Sequence, residues 1–235
     1  MDSLSNSILE ALTLLFDGNI ELWTIIGISF QISATAILIA AVPAVLIGFA
    51  LAYADFIGRR LLISVFNTLL AVPAVVVGLT LYIILSRQGP LGEWHLLFTQ
   101  TAMVLGQIAL SFPILVAMSH SAFQSAEIRA WDTARTLSSN PISAFIIMLR
   151  EVRFGLLGAL LAGYGRIIAE VGASMMLGGN ILHYTRNIPT AIALETSKGE
   201  FAQGIALGII LVLMAFLLTT TLHFVQGKGM LAHGR

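Results

Sequence analysis

Cysteine is absent from the 235-residue chain, which excludes disulfide frameworks, thiolate metal sites and a cysteine nucleophile. Charge is scarce: Asp, Glu, Lys and Arg make up 10% of the residues, against roughly 25% in ordinary soluble domains. Twelve basic residues balance twelve acidic ones, so no basic field exists to hold nucleic acid. The first basic residue is Arg59, which argues against a secretory signal peptide, because such a segment opens on positive charge. Histidine is too scattered (His95, His120, His183, His223, His233) for a local metal motif. There is no Gly-x-x-x-x-Gly-Lys-Ser/Thr loop to cradle a nucleotide phosphate, so the chain is not expected to hydrolyse ATP itself.

Apolar residues fill the space that charge leaves. They form 57% of the chain, and the mean hydropathy is +0.93. A soluble domain cannot cover its surface with so little charge, so the sequence predicts an integral membrane protein. Lipid admits only helices and closed barrels, and the apolar runs far exceed the ~10-residue alternating segments of a barrel. The expected class is therefore an all-α membrane protein with about five transmembrane helices. Residues 1–235 read as one transmembrane domain without a soluble part. Its spans are expected at 22–54, 61–86, 98–117, 154–172 and 201–224. Pro43, Pro73 and Pro113 are candidate kinks. The N-terminal segment 1–21 includes Ile8–Phe16, which is apolar but too short to cross and reads as an interfacial helix.

Five spans put the termini on opposite sides. Placing 55–60, 120–153 and 226–235 in the cytoplasm gives them eight basic residues, against Arg87, Arg186 and Lys198 outside. That asymmetry predicts an outside N-terminus and a cytoplasmic C-terminus.

Seven charges cluster within 127–153. Ser125–Leu137 reads as a short helix, broken at Ser138-Ser139, and Asn140-Pro141 supplies an N-cap and a first-turn proline for another. A rigid helix–turn–helix over 125–150 suits docking, and an ordinary interfacial loop is the plainer alternative. Inside the fourth span, Arg166 and Glu170 stand four residues apart and share a face. Either they neutralise each other and lock the helix, or they border the path of an anion. Gln107 with Ser111, and Gln31 with Thr35, could line a polar path or hydrogen-bond neighbouring helices. Gly178, Gly179 and Asn180 could end a helix or form an anion-binding nest of backbone N–H groups. Gly155, Gly158, Ala159, Ala162 and Gly163 permit close helix approach, with a second copy of the chain as one candidate partner. The charged stretches His183–Asn187 and Glu195–Glu200 read as outer loops.

Two blocks resemble a known family. Asp132-Thr133-Ala134-Arg135, Leu137-Ser138 and Asn140-Pro141 look like the coupling segment of ABC importer permeases, which sits in a groove of the ATPase subunit. Asp132 stands where that motif has Glu, Thr133 where it has Ala and Ser138 where it has Gly. Arg150-Glu151 replaces a later Leu-Pro pair. The block from Glu170 through Ser174 and Gly178 to Asn180 resembles the segment shared by molybdate, sulfate and tungstate permeases. The stretch Thr190–Gly199, with Leu149–Phe154 and Leu15–Gly18, is most like the tungstate branch.

The resemblance implies a type I importer permease fold with a cytoplasmic coupling helix. It also implies a second copy of the chain, a cytoplasmic ABC ATPase holding ATP and Mg, and an extracytoplasmic oxyanion-binding protein. The implied location is the cytoplasmic membrane of a bacterium or archaeon. No cofactor is expected on this chain. Catalysis needs no residue here, since Ser174 has no partner base for an intramembrane hydrolase. A passive channel would conduct without nucleotide.

Overall fold

A computed structural model describes residue 13 and residues 18–126, 128–137 and 140–232. The expected interfacial helix over residues 8–16 and Ser138 lie outside these, apart from Thr13. Every regular element among the described residues is helical: α1 Ile20–Tyr53, α2 Arg59–Leu69, α3 Ala74–Leu85, α4 Gln100–Gln124, α5 Ile128–Leu137, α6 Pro141–Glu151, α7 Arg153–Ile168, α8 Gly172–Gly178, α9 Ile188–Lys198 and α10 Phe201–Ala232. A single 3-10 turn, Gly92–Trp94, precedes α4.

The core is a parallel pair, α1 and α4. Along α1 the residues Ala36, Ala40, Ala44 and Gly48 recur every fourth position, and all are buried. Small side chains in one row let two backbones approach closely. A Cβ on Gly48 would stand 2.7 Å from Ser119 Cβ and 2.9 Å from His120 N. Backbone cannot yield there unless the helices part. Gly48→Ala is therefore expected to cost about 1–3 kcal/mol, read as a lower thermal midpoint in detergent. Gly27→Ala, at a site with open space around it, should leave the midpoint unchanged.

Three sequence boundaries need correction. The second span is two helices: α2 and α3 meet at 101° across residues 70–73. Pro73 is the N-cap of α3. Lacking an N–H, it cannot continue a hydrogen-bonded ladder, and it forces the preceding residue extended. The fourth is α7 and α8, bent by 65°. The third extends to Gln124 instead of ending at residue 117, because Ser119 and His120 are polar yet buried against α1. Among the described residues, three helices are long and apolar enough to cross a membrane alone, or up to five crossings result if each bent pair counts as one. Pro43 and Pro113 both lie inside uninterrupted helices.

α9 corrects one of the two expected loops: Glu195–Lys198 forms its last turn, whereas His183–Asn187 lies outside any helix. Asn187 accepts from Thr190 N at 3.1 Å, and Thr190 Oγ1 accepts from Asn187 N at 3.1 Å, closing a capping box. Ile188 N donates to Ser29 Oγ at 2.7 Å. Ser29 lies nine residues into α1, about 14 Å along its axis, so the start of α9 packs against the side of α1, well past its first turn. There the side-chain caps replace water for the orphan N–H groups. Its C-terminal charges pair with each other, Lys198 Nζ to Glu195 Oε1 at 3.0 Å.

Candidate functional site

Two places gather chemistry. The first is the end of the bundle formed by the C-termini of α1 and α4 together with α5 and α6. Arg59, Arg60, Arg135, Arg150 and Arg153 sit on elements at this end. α5 has only ten residues, too few to persist alone, and an aromatic cluster holds it. Trp131 stacks on Tyr53 with ring centroids 4.3 Å apart and 19° between planes. Phe49 meets Trp131, Phe123 and Phe145 edge-on. Tyr53 donates its hydroxyl to Phe123 O at 2.7 Å. Ala134, one turn after Trp131, is buried against the same cluster.

The opposite face of α5 is bare: Asp132, Thr133, Arg135 and Thr136 are exposed. Asn140 and Pro141 are exposed too, with Asn140 Oδ1 accepting from Ser143 N at 2.8 Å to cap α6. Leu137 closes α5. The short helix thus has one side fixed to the bundle and one side offered outward. The aromatic cluster escaped the sequence reading, although Phe49 and Tyr53 stand four residues apart beside a lone Trp131 and signal a common packing face.

The second place is where the two broken helices cross. Gly172, at the start of α8, is so near Val75 of α3 that a Cβ would lie 2.9 Å from Val75 Cγ2. A Cβ on Gly78 would likewise lie 2.8 Å from Ala173 Cα. Arg166 and Glu170 stand beside this crossing, joined at 2.8 Å from Nη1 to Oε2. They do not lie on one continuous helix, since α7 ends at Ile168. Glu170 Oε1 instead accepts from Gly172 N at 3.0 Å and Ala173 N at 3.4 Å, so the carboxylate caps α8 while neutralising Arg166. Glu170 is nearly enclosed, whereas the Arg166 side chain keeps 45% of its surface exposed. A half-exposed guanidinium at membrane depth needs water or another protein surface beside it.

Of the other site residues named from sequence, Gln107, Ser111, Ser174 and Gly178 are buried. Gln107 is buried, with Nε2 donating to Ile167 O at 3.5 Å, and Ser111 Oγ donates to Gln107 O at 2.8 Å. The first contact crosses the α4–α7 seam, and the second lies within α4. Ser174 is buried in α8. Gly178 is the last residue of α8, and a left-handed pair, Gly179 at φ 68° and Asn180 at φ 51°, follows it. Thr185 closes that turn, donating to Gly178 O at 2.6 Å and accepting from Ile181 N at 2.9 Å. The small residues of α7 pack within the chain: a Cβ on Gly155 would meet Ala122 Cβ at 2.8 Å, and Gly163 lies against Leu115 and Ile37. Gln31 and Thr35 are on the exposed side of α1. Among the described residues, no group of three or more His, Asp or Glu side chains could hold a metal ion.

No protein-family profile matches the chain. Individual relatives do. The chain is 38% identical over 223 residues to the tungstate uptake system permease protein TupB of Campylobacter jejuni, covering 95% of this chain and 93% of that protein. It is 41% identical over 193 residues to a probable anion ABC transporter permease protein of Haloferax volcanii, covering 80% and 83%. Molybdenum and sulfate transport permeases match at lower identity. Among solved structures, a chain of the MetNI methionine ABC transporter in an inward-facing conformation superposes with a TM-score of 0.63 at 13% identity, covering 88% of this chain and 94% of that one. At that identity the likeness concerns the fold.

Proposed function

The chain belongs to the permease subunits of oxyanion ABC transporters, and on that footing we propose that two copies of it enclose the membrane path of an ATP-driven tungstate importer. α5 carries this proposal: a helix stacked into the bundle on one side and bare on the other can take force from a partner and pass it to α1 and α4. Asp132, Thr133, Arg135, Asn140 and Pro141 are the surface for a cytoplasmic ABC ATPase, which supplies ATP and Mg. Ala134 and Leu137 are the inner side and the end of the same lever.

The arginines at the α5–α6 end make it the cytoplasmic one by the positive-inside rule. The N-terminus is then outside and the C-terminus inside, with α1, α2–α3, α4, α7–α8 and α10 as the crossings. ATP binding closes the motor pair, draws the two α5 helices together and opens the outer gate beneath an extracytoplasmic binding protein. Hydrolysis returns the bundle to face inward. The substrate undergoes no covalent change, so no residue is catalytic.

In the path, Arg166 favours a dianion, while Glu170 keeps the local charge from trapping it. The turn at Gly178-Gly179-Asn180, at the outer end of α8, serves the outer gate. Gln107, Ser111 and Ser174 enter as packing groups that hold α4, α7 and α8 together. Molybdate is the second reading, favoured by the similarity to molybdenum permeases. Both are tetrahedral dianions of nearly equal size, so selection between them falls to the binding protein.

The test is transport by the complex of this chain with its ATPase, reconstituted in proteoliposomes with the binding protein present. Tungstate uptake is expected only when ATP and the binding protein are both supplied. Uptake that continues without nucleotide rejects the importer.

A further inference from the structure

α2 has three distinct faces, and the core uses one. Ile63 and Phe66 pack against the main cluster. Leu61, Val65 and Leu69 are exposed on a second face. Arg60, Ser64 and Asn67 recur at i, i+4 and i+7, so they form a polar row on a third face, and all three are exposed. Nothing on α2 is buried. The row runs about 10 Å along the axis. Polar side chains at bilayer depth face water or protein rather than lipid.

Both ends of the row lead somewhere. At its start, Arg60 lines an open cleft of about 750 Å3 shared with Asp55, Arg59 and Gln124. Arg59 is already committed: Nε donates to Leu51 O at 2.7 Å and Nη2 to Ala52 O at 2.9 Å, while Nη1 reaches Asp55 at 3.3 Å. Among the described residues no carboxylate pairs with Arg60, which leaves its charge available at the mouth. Beyond Asn67 the chain breaks and resumes at α3, whose Val75 touches Gly172 beside the Arg166–Glu170 pair.

We infer that Arg60, Ser64 and Asn67 line the half of the anion path nearer the α5–α6 end, from the cleft to the crossing of the broken helices. Arg60 collects the dianion, and Ser64 and Asn67 offer neutral donors that replace its water without holding it. This extends the permease proposal and rests on it. The apolar face of Leu61, Val65 and Leu69 is left for lipid or a subunit seam.

The cysteine-free chain makes the test direct. Single substitutions Ser64→Cys, Asn67→Cys, Leu61→Cys and Val65→Cys are made in the reconstituted complex. Each is treated from the ATPase side with a charged, membrane-impermeant methanethiosulfonate. Ser64→Cys and Asn67→Cys should react at least about tenfold faster than the other two, as a thiol in water keeps its thiolate fraction and one in an apolar setting loses it. Equal rates at all four positions overturn the proposal. So does a disulfide between copies at 64 or 67 that blocks labelling, because the row is then a seam. Arg60→Gln should slow uptake severalfold with ATP hydrolysis retained, and Arg60→Lys should restore it; unchanged uptake in Arg60→Gln removes the collecting role. If the unsubstituted complex fails to import at all, the permease proposal falls, while the labelling pattern still reports where water reaches.

Discussion

Trp131→Ala is expected to abolish tungstate uptake while the complex continues to hydrolyse ATP. The indole is the largest group fixing α5 to the bundle, stacked 4.3 Å from Tyr53 and edge-on to Phe49 at 5.6 Å, with the Arg135 guanidinium 5.9 Å above it. Truncating a core aromatic costs about 3–5 kcal/mol. Trp131 is only partly buried, so the lower end applies. About 3 kcal/mol taken from the docking of one short helix shifts its equilibrium by about a hundredfold. The exposed side of α5 keeps Asp132, Thr133 and Arg135, so the surface proposed for the motor is unchanged. What is lost is the connection between that surface and α1 and α4. Trp131→Phe retains an aromatic ring against Tyr53 and should recover much of the transport. Uptake and phosphate release, measured on one preparation, decide the matter: uptake within twofold of the parent in Trp131→Ala refutes the lever.

How much was readable beforehand depends on whether a signal is local. Asn140 and Pro141 announce the start of α6 because an N-cap and a first-turn proline act on their own backbone, and the structure has α6 begin there. The long apolar runs of α1 and α10 carry their own length. The two breaks were hidden, because leucine and valine are as apolar on either side of a 101° bend as in a straight helix, and hydropathy carries no direction. Pro73 was visible but read as a kink. α9 was missed for a different reason. Glu195 and Lys198 suggested solvent, yet Glu195 is buried and the two neutralise each other at 3.0 Å; Asn187, Pro189 and Gly199 were the better signals. Partner choice lies outside any periodicity. The glycines of α7 announce close approach, but only coordinates reveal that Ala122 and Leu115 of the same chain fill it.

Removing the Glu170 carboxylate is expected to damage the fold more than removing the Arg166 charge, although the two form one ion pair. Glu170 has three donors: Arg166 Nη1 at 2.8 Å, Gly172 N at 3.0 Å and Ala173 N at 3.4 Å. Glu170→Ala strands all three at once. A buried charge without its partner costs about 3–5 kcal/mol, reduced here because Arg166 is half in contact with its surroundings. Each unmet backbone donor adds about 1–3 kcal/mol. Glu170→Gln keeps an oxygen for the N–H groups of α8 and loses only the charge. Arg166→Gln takes the cation from the enclosed carboxylate but leaves it the Gly172 and Ala173 N–H groups, so the cap on α8 stays intact. Thermal midpoints in one detergent should therefore fall in the order parent, Arg166→Gln, Glu170→Gln, Glu170→Ala. The double variant Arg166→Gln with Glu170→Gln should sit above the sum of the two single losses, since the pair is coupled. Transport runs against this order: Arg166→Gln, the milder change to the fold, should lower uptake of the dianion without loss of protein, if the half-exposed guanidinium borders the path as proposed. Equal midpoints for Arg166→Gln and Glu170→Ala would show that the ion pair, and not the cap on α8, is what Glu170 supplies at the crossing.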